Sequence, residues 1–200
     1  MVTNYKYCEV CHKQISPNFI LANSNICKYC FQKMPLIYKS FKIDGIDCMC
    51  LYKYNQTVRE IILRIKGYYD IELAKVFITP IRNYLKFKYL NYTILPAPST
   101  KSSNTKRGFN HVVEMFKPLG FPILNCFKKK SNYKQSDQSK YNRLNISNII
   151  QLDTSNLSLS KKYLIVDDIA TTSNTIRTCI RLLKLNNINN IKVLLISKKI

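Results

Sequence analysis

Two adjacent aspartates followed by a hydroxyl-rich segment could do the most specific chemistry in this sequence. Asp167 and Asp168 come directly after the apolar run 163–166, and the next residues supply threonine, serine and asparagine. Carboxylates accept hydrogen bonds from vicinal sugar hydroxyls and attract Mg²⁺, whereas hydroxyls and the free N–H groups of a helix's first turn favour a phosphate. A phosphorylated ribose satisfies all of these groups, and an ordinary turn before a capped helix is the alternative. The residues predicted to bind the sugar phosphate are Asp167, Asp168, Ala170, Thr171, Thr172, Ser173, Asn174 and Thr175.

Four cysteines near the amino end have the spacing of a metal site. Cys8 and Cys11 form one CxxC pair, and Cys27 and Cys30 form a second. Two such turns can present four thiolates to a tetrahedral zinc ion, and four protein ligands leave no position for a catalytic water. We therefore predict a structural zinc knuckle, with His12 as a surface residue; four unrelated buried cysteines are the alternative. Core packing is predicted for the other cysteines, Cys48, Cys50, Cys126 and Cys179.

The middle of the chain is strongly basic. Between residues 73 and 136 only Glu114 is acidic, while lysines and arginines alternate with tyrosine, phenylalanine and asparagine. Cations that follow phosphates, beside aromatic rings on which bases stack, suit single-stranded nucleic acid. A solvated surface is the alternative, and Lys106 and Arg107 could instead clamp pyrophosphate. The residues predicted for pyrophosphate or DNA are Pro98, Ser99, Lys101, Lys106 and Arg107, and those predicted for nucleic acid are Lys128, Lys129, Lys130 and Lys134.

Composition narrows the class of partner. The 200 residues carry 32 Lys and Arg against 11 Asp and Glu, a formal net charge of +21, which favours a polyanion or an acidic membrane face. Codon drift toward A and T, which also enriches Asn, Ile, Tyr and Phe, is an alternative source of part of this charge. No apolar run approaches the ~20 residues of a membrane span, and the first residues lack a signal-peptide core. We therefore expect a cytoplasmic protein with reduced thiols that is not an integral membrane protein.

Strands that alternate with amphipathic helices must position these groups. The predicted strands 162–166 and 191–196 contain the unbroken apolar runs 163–166 and 193–196, which favours strands buried on both faces and an α/β fold whose parallel sheet is flanked by helices. Shorter strands are predicted at 92–95 and 123–127. Apolar residues three to four apart predict helices at 57–66 and at 70–88, with Pro80 dividing the second. Further helices are predicted at 109–119 and 174–185, and a polar helix is predicted at 138–144. We place a four-cysteine zinc finger at 1–45 and the α/β domain at 46–200.

The stretch from Val166 to Thr175 resembles the phosphoribosyl-pyrophosphate signature of type I phosphoribosyltransferases, in which two acids precede a Thr-Thr-Gly turn. The CxxC pairs, the segments 95–98 and 106–110, and Gln135 followed by 143–145 extend the resemblance to the competence protein F (ComF-like) family over nearly the whole chain. That resemblance implies a bacterial protein with a zinc-finger-like amino end on a type I phosphoribosyltransferase-like fold. It also implies a role in taking up single-stranded DNA during natural transformation.

The same resemblance assigns roles within the predicted site. The turn from Thr171 to Thr175 would hold the 5-phosphate of phosphoribosyl pyrophosphate (PRPP), the two aspartates its ribose, and the loop after Pro98 its pyrophosphate with Mg²⁺. Two positions depart from the family pattern. Ser173 replaces a glycine, so a positive φ there would cost roughly 1–2 kcal/mol. His111 replaces the glutamine that commonly follows the Arg-Gly-Phe-Asn segment.

Together these features predict a PRPP-binding and single-stranded-DNA-binding protein that acts in DNA uptake during natural transformation. The alternative is an active phosphoribosyltransferase that transfers phosphoribose from PRPP to a base or amine. No acceptor pocket is recognisable in the sequence, so the question of enzymatic activity is left open. A third hypothesis is an assembly subunit whose knuckle docks a DNA-import motor or a recombination protein.

Overall fold

A computed structural model describes residues 6–15, 25–99, 101–129 and 150–199 of the chain. Its strands are β1 (Lys6–Tyr7), β2 (Gln14–Ile15), β3 (Leu36–Ile43), β4 (Ile46–Lys53), β5 (Tyr92–Pro96), β6 (Phe127–Lys129), β7 (Ile150–Leu152), β8 (Lys162–Ala170) and β9 (Ile191–Lys198). Its α-helices are α1 (Lys28–Gln32), α2 (Gln56–Gly67), α3 (Arg82–Lys88), α4 (Lys101–Arg107), α5 (His111–Phe116) and α6 (Asn174–Leu185). Short 3₁₀ segments are Glu72–Phe77, Thr79–Ile81 and Lys117–Leu119.

Five of these strands form one sheet in the order β3–β4–β9–β8–β5. The pairs β4/β9, β9/β8 and β8/β5 are parallel, and only the edge pair β3/β4 is antiparallel. Residues 163–166 of β8 are fully buried between neighbouring strands and flanking helices, as a continuous apolar run requires. The predicted α/β fold is confirmed, with an antiparallel edge strand added to the parallel sheet. The division at residue 45 stays a prediction; it falls within the β3/β4 hairpin.

Successive side chains of a strand point to opposite faces of the sheet, so the apolar interior consists of two cores, one on each face. On β8, Leu164 and Val166 pack with the apolar faces of α2 and α5, whereas Tyr163 and Ile165 pack with the apolar face of α6 on the other side of the sheet. The same alternation continues past Val166, because β8 pairs with β9 as far as Ala170. The predicted strand end at Val166 is therefore wrong, and both aspartates belong to the strand.

The helices predicted at 57–66 and 174–185 are confirmed as α2 and α6. The helix predicted at 57–66 is α2, whose start is capped by Asn55: its side chain accepts the N–H of Val58 at 2.9 Å. The segment 70–88 is divided at Pro80, as predicted, into 3₁₀ turns followed by α3. The predicted strand 123–127 is wrong, since only Ile123 makes a bridge there and β6 begins at Phe127. The helix predicted at 138–144 lies outside the described residues.

Among the described residues, no helix combines the length and the apolar character that crossing a membrane requires.

Candidate sugar-phosphate pocket and cysteine cluster

The alternation of β8 sends the two aspartates to opposite faces of the sheet. Asp168 follows Val166 by two residues and lies on the side of α2 and α5, where Lys66 and His111 contact it. Asp167 follows Ile165 by two residues and lies on the side of α6. The strand thus presents a carboxylate to each face at its carboxyl end, which is the edge where α/β sheets bind ligands.

Asp168 is held as an ion pair. Its side chain is 5% exposed; Oδ2 contacts the ammonium of Lys66 and lies 3.2 Å from His111 Nε2, while Oδ1 accepts the N–H of Ile169 at 2.6 Å. Burial by itself would raise the pKa of Asp168, but the hydrogen bond from His111 and the charge of Lys66 hold it below its ordinary value. Asp168 is therefore a fixed carboxylate.

His111 connects Asp168 to Arg107. The guanidinium Nη1 of Arg107 lies 3.0 Å from His111 Nδ1, and a guanidinium can only donate, so Nδ1 is the acceptor and Nε2 carries the proton that faces Asp168. Burial, together with the charges of Lys66 and Arg107, lowers the pKa of His111, and the neighbouring Asp168 only partly opposes this. A neutral imidazole therefore donates on one side and accepts on the other, as a glutamine amide can.

Asp167 differs from its neighbour in its protonation. Loss of hydration and the nearby charge of Asp168 raise the pKa of Asp167 to about 7. Its Oδ1 accepts the N–H of Asp168 at 2.9 Å. The pair thus combines one permanent carboxylate with one that exchanges a proton near neutral pH.

A cavity of about 350 Å³ opens beside the acid pair. It brings together predicted residues from four separate parts of the sequence, and Ser99 on its wall also bonds Asn104 at 2.8 Å. Lys66 and His111 were not predicted as site residues; the departure at His111 was the only indication in the sequence. The lining residues are Lys66, Ala97, Pro98, Ser99, Arg107, His111, Val112, Lys129, Asp167, Asp168 and Thr175.

The remaining predicted residues differ in how far they are exposed to solvent. Ala170 is buried, Thr171, Thr172 and Lys106 are exposed, and Ser173 and Asn174 are half-buried. Lys128 pairs with Asp153 at 2.8 Å on the surface. Lys101 is on α4, but its side chain is not described, and Lys130 and Lys134 lie outside the described residues.

The turn before α6 has the backbone conformation that the glycine of the family pattern would favour. Ser173 has φ 59° and ψ 7°, in the left-handed region, and its side chain makes no capping bond to the helix. The N–H groups at the start of α6 are therefore not capped by Ser173, and Thr175 in the first turn lines the cavity. A phosphate is the kind of ligand such a helix start favours.

Replacing Ser173 by glycine is expected to stabilise the protein by about 1 kcal/mol, because a left-handed residue with a Cβ costs roughly 1–2 kcal/mol and the extra flexibility of glycine in the unfolded chain offsets part of the gain. Urea unfolding measures the change. Ser40→Gly, at an exposed position of β3 without a positive φ, is the matched control and should destabilise. A Ser173→Gly protein that is less stable than the wild type would contradict the strain.

The four predicted zinc ligands form one cluster. The sulfur atoms of Cys8, Cys11, Cys27 and Cys30 all lie within 4.8 Å of one another, with Cys11 and Cys27 at 3.9 Å. A tetrahedron with Zn–S bonds of about 2.3 Å has edges of about 3.8 Å. Cys11 and Cys27 have this separation, and no pair in the cluster exceeds it by more than about 1 Å. None of these four cysteines forms a disulfide bond. The Cys27 N–H donates to Cys8 Sγ at 3.4 Å. His12 contacts Arg64 at 3.1 Å, in agreement with its predicted surface role.

The other cysteines are buried, as predicted for core residues. Burial raises the pKa of the Cys48 thiol to about 11 and that of Cys126 to about 12, so both stay protonated. Among the described residues, the four cysteines are the only group of three or more Cys, His, Asp or Glu side chains placed to hold one metal ion.

Comparison with known proteins places this geometry in context. No family model matches the chain. The competence protein ComFC of Streptococcus pneumoniae is 30% identical over 140 residues, which are 70% of this chain and 63% of that protein. ComFC of Bacillus subtilis is 27% identical over 135 residues, 66% of this chain and 56% of that protein. The predicted resemblance to the competence protein F family is confirmed. The matches span less than two thirds of each relative's length.

Solved structures give a coarser likeness. The APRTase from Giardia lamblia has a TM-score of 0.42 at 12% identity, covering 86% of this chain and 96% of that one. Adenine phosphoribosyltransferase from Rhodothermus marinus has a TM-score of 0.40 at 13% identity, covering 86% and 97%. At these TM-scores the likeness is limited to the general architecture.

Proposed function

We propose that this protein binds PRPP in the pocket beside the acid pair and single-stranded DNA on its basic surface, as part of DNA uptake during natural transformation. The cavity carries the proposal, because it joins carboxylates, cations and a helix start at the carboxyl edge of one sheet. The resemblance to two competence proteins supports the biological role.

Each part of PRPP would meet a suitable group. Vicinal ribose hydroxyls are donors and suit the carboxylate of Asp167, while the 5-phosphate suits the first turn of α6, where Thr175 lines the cavity. Arg107 and Lys129, also on its walls, would face the pyrophosphate. Asp168 already contacts the Lys66 ammonium and the His111 imidazole, so we assign it to positioning these two side chains rather than to direct ligand contact.

The donor set also fits Mg²⁺, a hard cation that prefers oxygen ligands. Asp167 would hold it together with phosphate oxygens of the ligand, and bound Mg²⁺ would neutralise part of the pyrophosphate charge. Asp168 is less suited, because Lys66 and His111 already occupy its Oδ2.

The single-strand proposal rests on charge. The net charge of +21 favours a polyanion, and Lys106, next to Arg107 in the chain, is exposed. Arg107, by contrast, is half-buried and directed to His111, which favours pyrophosphate for this residue and leaves Lys106 for DNA.

Calorimetric titration with PRPP and Mg²⁺ tests the pocket. We expect saturable binding that weakens about tenfold or more in Thr175→Val, since Thr175 lines the cavity and a hydrogen bond to a charged group contributes roughly 1.5–3 kcal/mol. Thr154→Val, at an exposed threonine that does not line the cavity, is the matched control and should bind as the wild type does. Absence of wild-type binding would refute the proposal. Pyrophosphate release with a panel of bases, abolished in Asp168→Asn, would establish the transferase alternative instead.

PRPP affinity should rise between about pH 6 and pH 8, as Asp167 loses its proton and becomes an acceptor for the ribose hydroxyls. The sign follows from the raised pKa of Asp167, because the neutral form predominates below about 7. Ionisation of the ligand's own phosphates also contributes, so the measured quantity is the difference from Asp167→Asn. That variant should bind more weakly at pH 8 and lose part of the pH dependence; parallel profiles would contradict the assignment.

A further inference from the structure

The third helix carries an exposed arrangement of aromatic rings and cations that the sugar-phosphate pocket does not use. Leu85 and Tyr89 are buried and attach this segment to the core, so its opposite side faces solvent. On that side the ring of Tyr84 is 45% exposed and the ring of Phe87 is 87% exposed. The Phe87 ring is too exposed to stabilise this chain by packing in its core.

Helical spacing brings three of these residues together. Tyr84 and Phe87 are three apart and Tyr84 and Lys88 are four apart, so all three share a face of α3. The ammonium of Lys88 lies 5.8 Å from the centre of the Tyr84 ring, and Tyr38 of β3 supports that ring edge-on at 4.9 Å. We call Tyr84, Phe87 and Lys88 the α3 platform.

The stretch of chain that carries the α3 platform has charges of one sign. No aspartate or glutamate occurs between residues 73 and 113, whereas α3 itself contributes Arg82, Lys86 and Lys88. The surface therefore complements an anion. Two exposed rings beside cations complement an anion that also has flat apolar faces to stack.

A groove adjoins this segment. Leu90, 63% exposed, lines a cavity of about 700 Å³ together with the amides of Asn91 and Asn156 and with Lys161. Amides can donate to and accept from the edges of unpaired bases, and a lysine can follow the phosphates. This groove lies by the amino ends of β5 and β8, whereas the acid pair lies near the carboxyl end of β8.

We propose that the α3 platform is a stacking surface for single-stranded nucleic acid, with unpaired bases on Phe87 and Tyr84 and the backbone on the adjacent lysines. This inference rests on the proposed single-strand binding and gives that binding a place on the surface of the protein. A duplex does not fit, because its base faces are already stacked. A membrane fits less well, because the buried side of α3 is fixed in the core and only its rim could enter lipid.

A single fluorophore can report on this surface, because the chain has no tryptophan. In Phe87→Trp, a thymidine oligonucleotide is expected to quench the fluorescence as bases stack on the indole. Tyr29→Trp is the matched control: Tyr29 is an exposed ring 4.4 Å from the ammonium of Lys33 on another part of the chain. Equal or greater quenching at position 29 would overturn the placement on α3.

Affinity measurements separate stacking from charge. Phe87→Ala should weaken oligonucleotide binding about tenfold without changing the salt slope, since a stacked base contributes roughly 1–3 kcal/mol and the ring carries no charge. Lys88→Gln should lower the log–log salt slope by up to about 0.7, the value for one neutralised phosphate of a single strand. Both side chains lie on the surface, and urea unfolding verifies that the variants stay folded.

The outcomes are distinct. If the wild type fails to bind the oligonucleotide, the proposed nucleic-acid function is overturned and the platform with it. If the wild type binds and Phe87→Ala binds equally well, only the platform is overturned. The fluorescence of Phe87→Trp is also followed with phosphatidylserine vesicles at the same salt concentration. A larger change with the vesicles than with the oligonucleotide overturns the platform and indicates a membrane surface instead.

Discussion

Replacing Lys66 by methionine is expected to lower the free energy of unfolding by about 2–3 kcal/mol at neutral pH. Methionine keeps most of the apolar stem but removes the ammonium that pairs with Asp168, whose side chain is 5% exposed. Loss of one partner from a buried pair typically costs 3–5 kcal/mol because the other charge stays buried. We expect less here, since Lys66 itself is 36% exposed and His111 and the Ile169 N–H still contact Asp168.

The effect should depend on pH with a definite sign. In the wild type the folded pKa of Asp168 is lower than its unfolded value of about 3.9, so Asp168 contributes stability above that value and loses it as pH falls further. Without Lys66 the folded pKa of Asp168 rises. The difference between the two proteins is therefore largest at neutral pH and shrinks in acid, where Asp168 takes up a proton.

Urea unfolding of both proteins over a range of pH values measures this difference. Lys75→Met is the matched control, because Lys75 pairs with Glu72 at 2.8 Å on the surface, where both side chains are about half exposed. Exposed pairs contribute at most about 1 kcal/mol, so this control should change little at any pH. If Lys66→Met changed the free energy of unfolding as little as Lys75→Met does, the charge of Asp168 would not depend on Lys66. The contact between the two side chains would then contribute little to stability.

Local patterns in the sequence predict much of the site but not the side chains from other helices that contact Asp168. The run 162–166, the acid pair and the helix 174–185 follow each other along the chain, so strand, ligand groups and helix start could be inferred together. The strand's true end could not, because aspartate disfavours strands in isolation while pairing with β9 overrides that preference up to Ala170.

Lys66 and His111 show why the rest required the fold. Each lies far from Asp168 along the chain, on α2 and α5, and each sits at the edge of an ordinary amphipathic pattern. Their role depends on which face of the sheet the side chain of Asp168 lies on. This face is known only once Leu164 and Val166, which lie on the same face of β8, are seen to pack against α2 and α5. A charged residue at a helix end is by itself no evidence of a site.

Helix α2 also connects the pocket to the cysteine cluster. Arg64 donates to the carbonyl of Val10, within the first CxxC turn, at 2.8 Å and pairs with Asp70 at 3.0 Å. Lys66, one turn or less away on the same helix, reaches Asp168. A displacement of the cysteine turn would therefore act on the segment that carries the pocket's lysine.

We expect zinc to occupy the cysteine cluster and its removal to unfold the knuckle, since structural zinc sites typically bind with about 10–16 kcal/mol at neutral pH and this is folding energy. Elemental analysis should find about one zinc per chain. Hydrogen exchange is expected to show that chelation exposes the amides of Cys27 and Cys30, whose N–H groups donate to cluster sulfurs, while the amides of β8 stay protected. Cys30→Ser should abolish zinc binding, whereas Cys126→Ala, at a buried cysteine outside the cluster, should retain it.

Zinc affinity should also fall steeply as pH falls, because the metal must displace thiol protons. Burial together with the neighbouring cysteines raises the pKa of Cys30 well above its ordinary value; burial of Cys8 acts in the same direction but is outweighed by backbone N–H groups that lower its pKa to about 7. Zinc then competes most directly with the proton on Cys30, and calorimetry in buffers of different ionisation enthalpy counts the protons released. A metal-free chain in which the Cys27 and Cys30 amides stay protected would show that the cluster is held by packing and not by zinc.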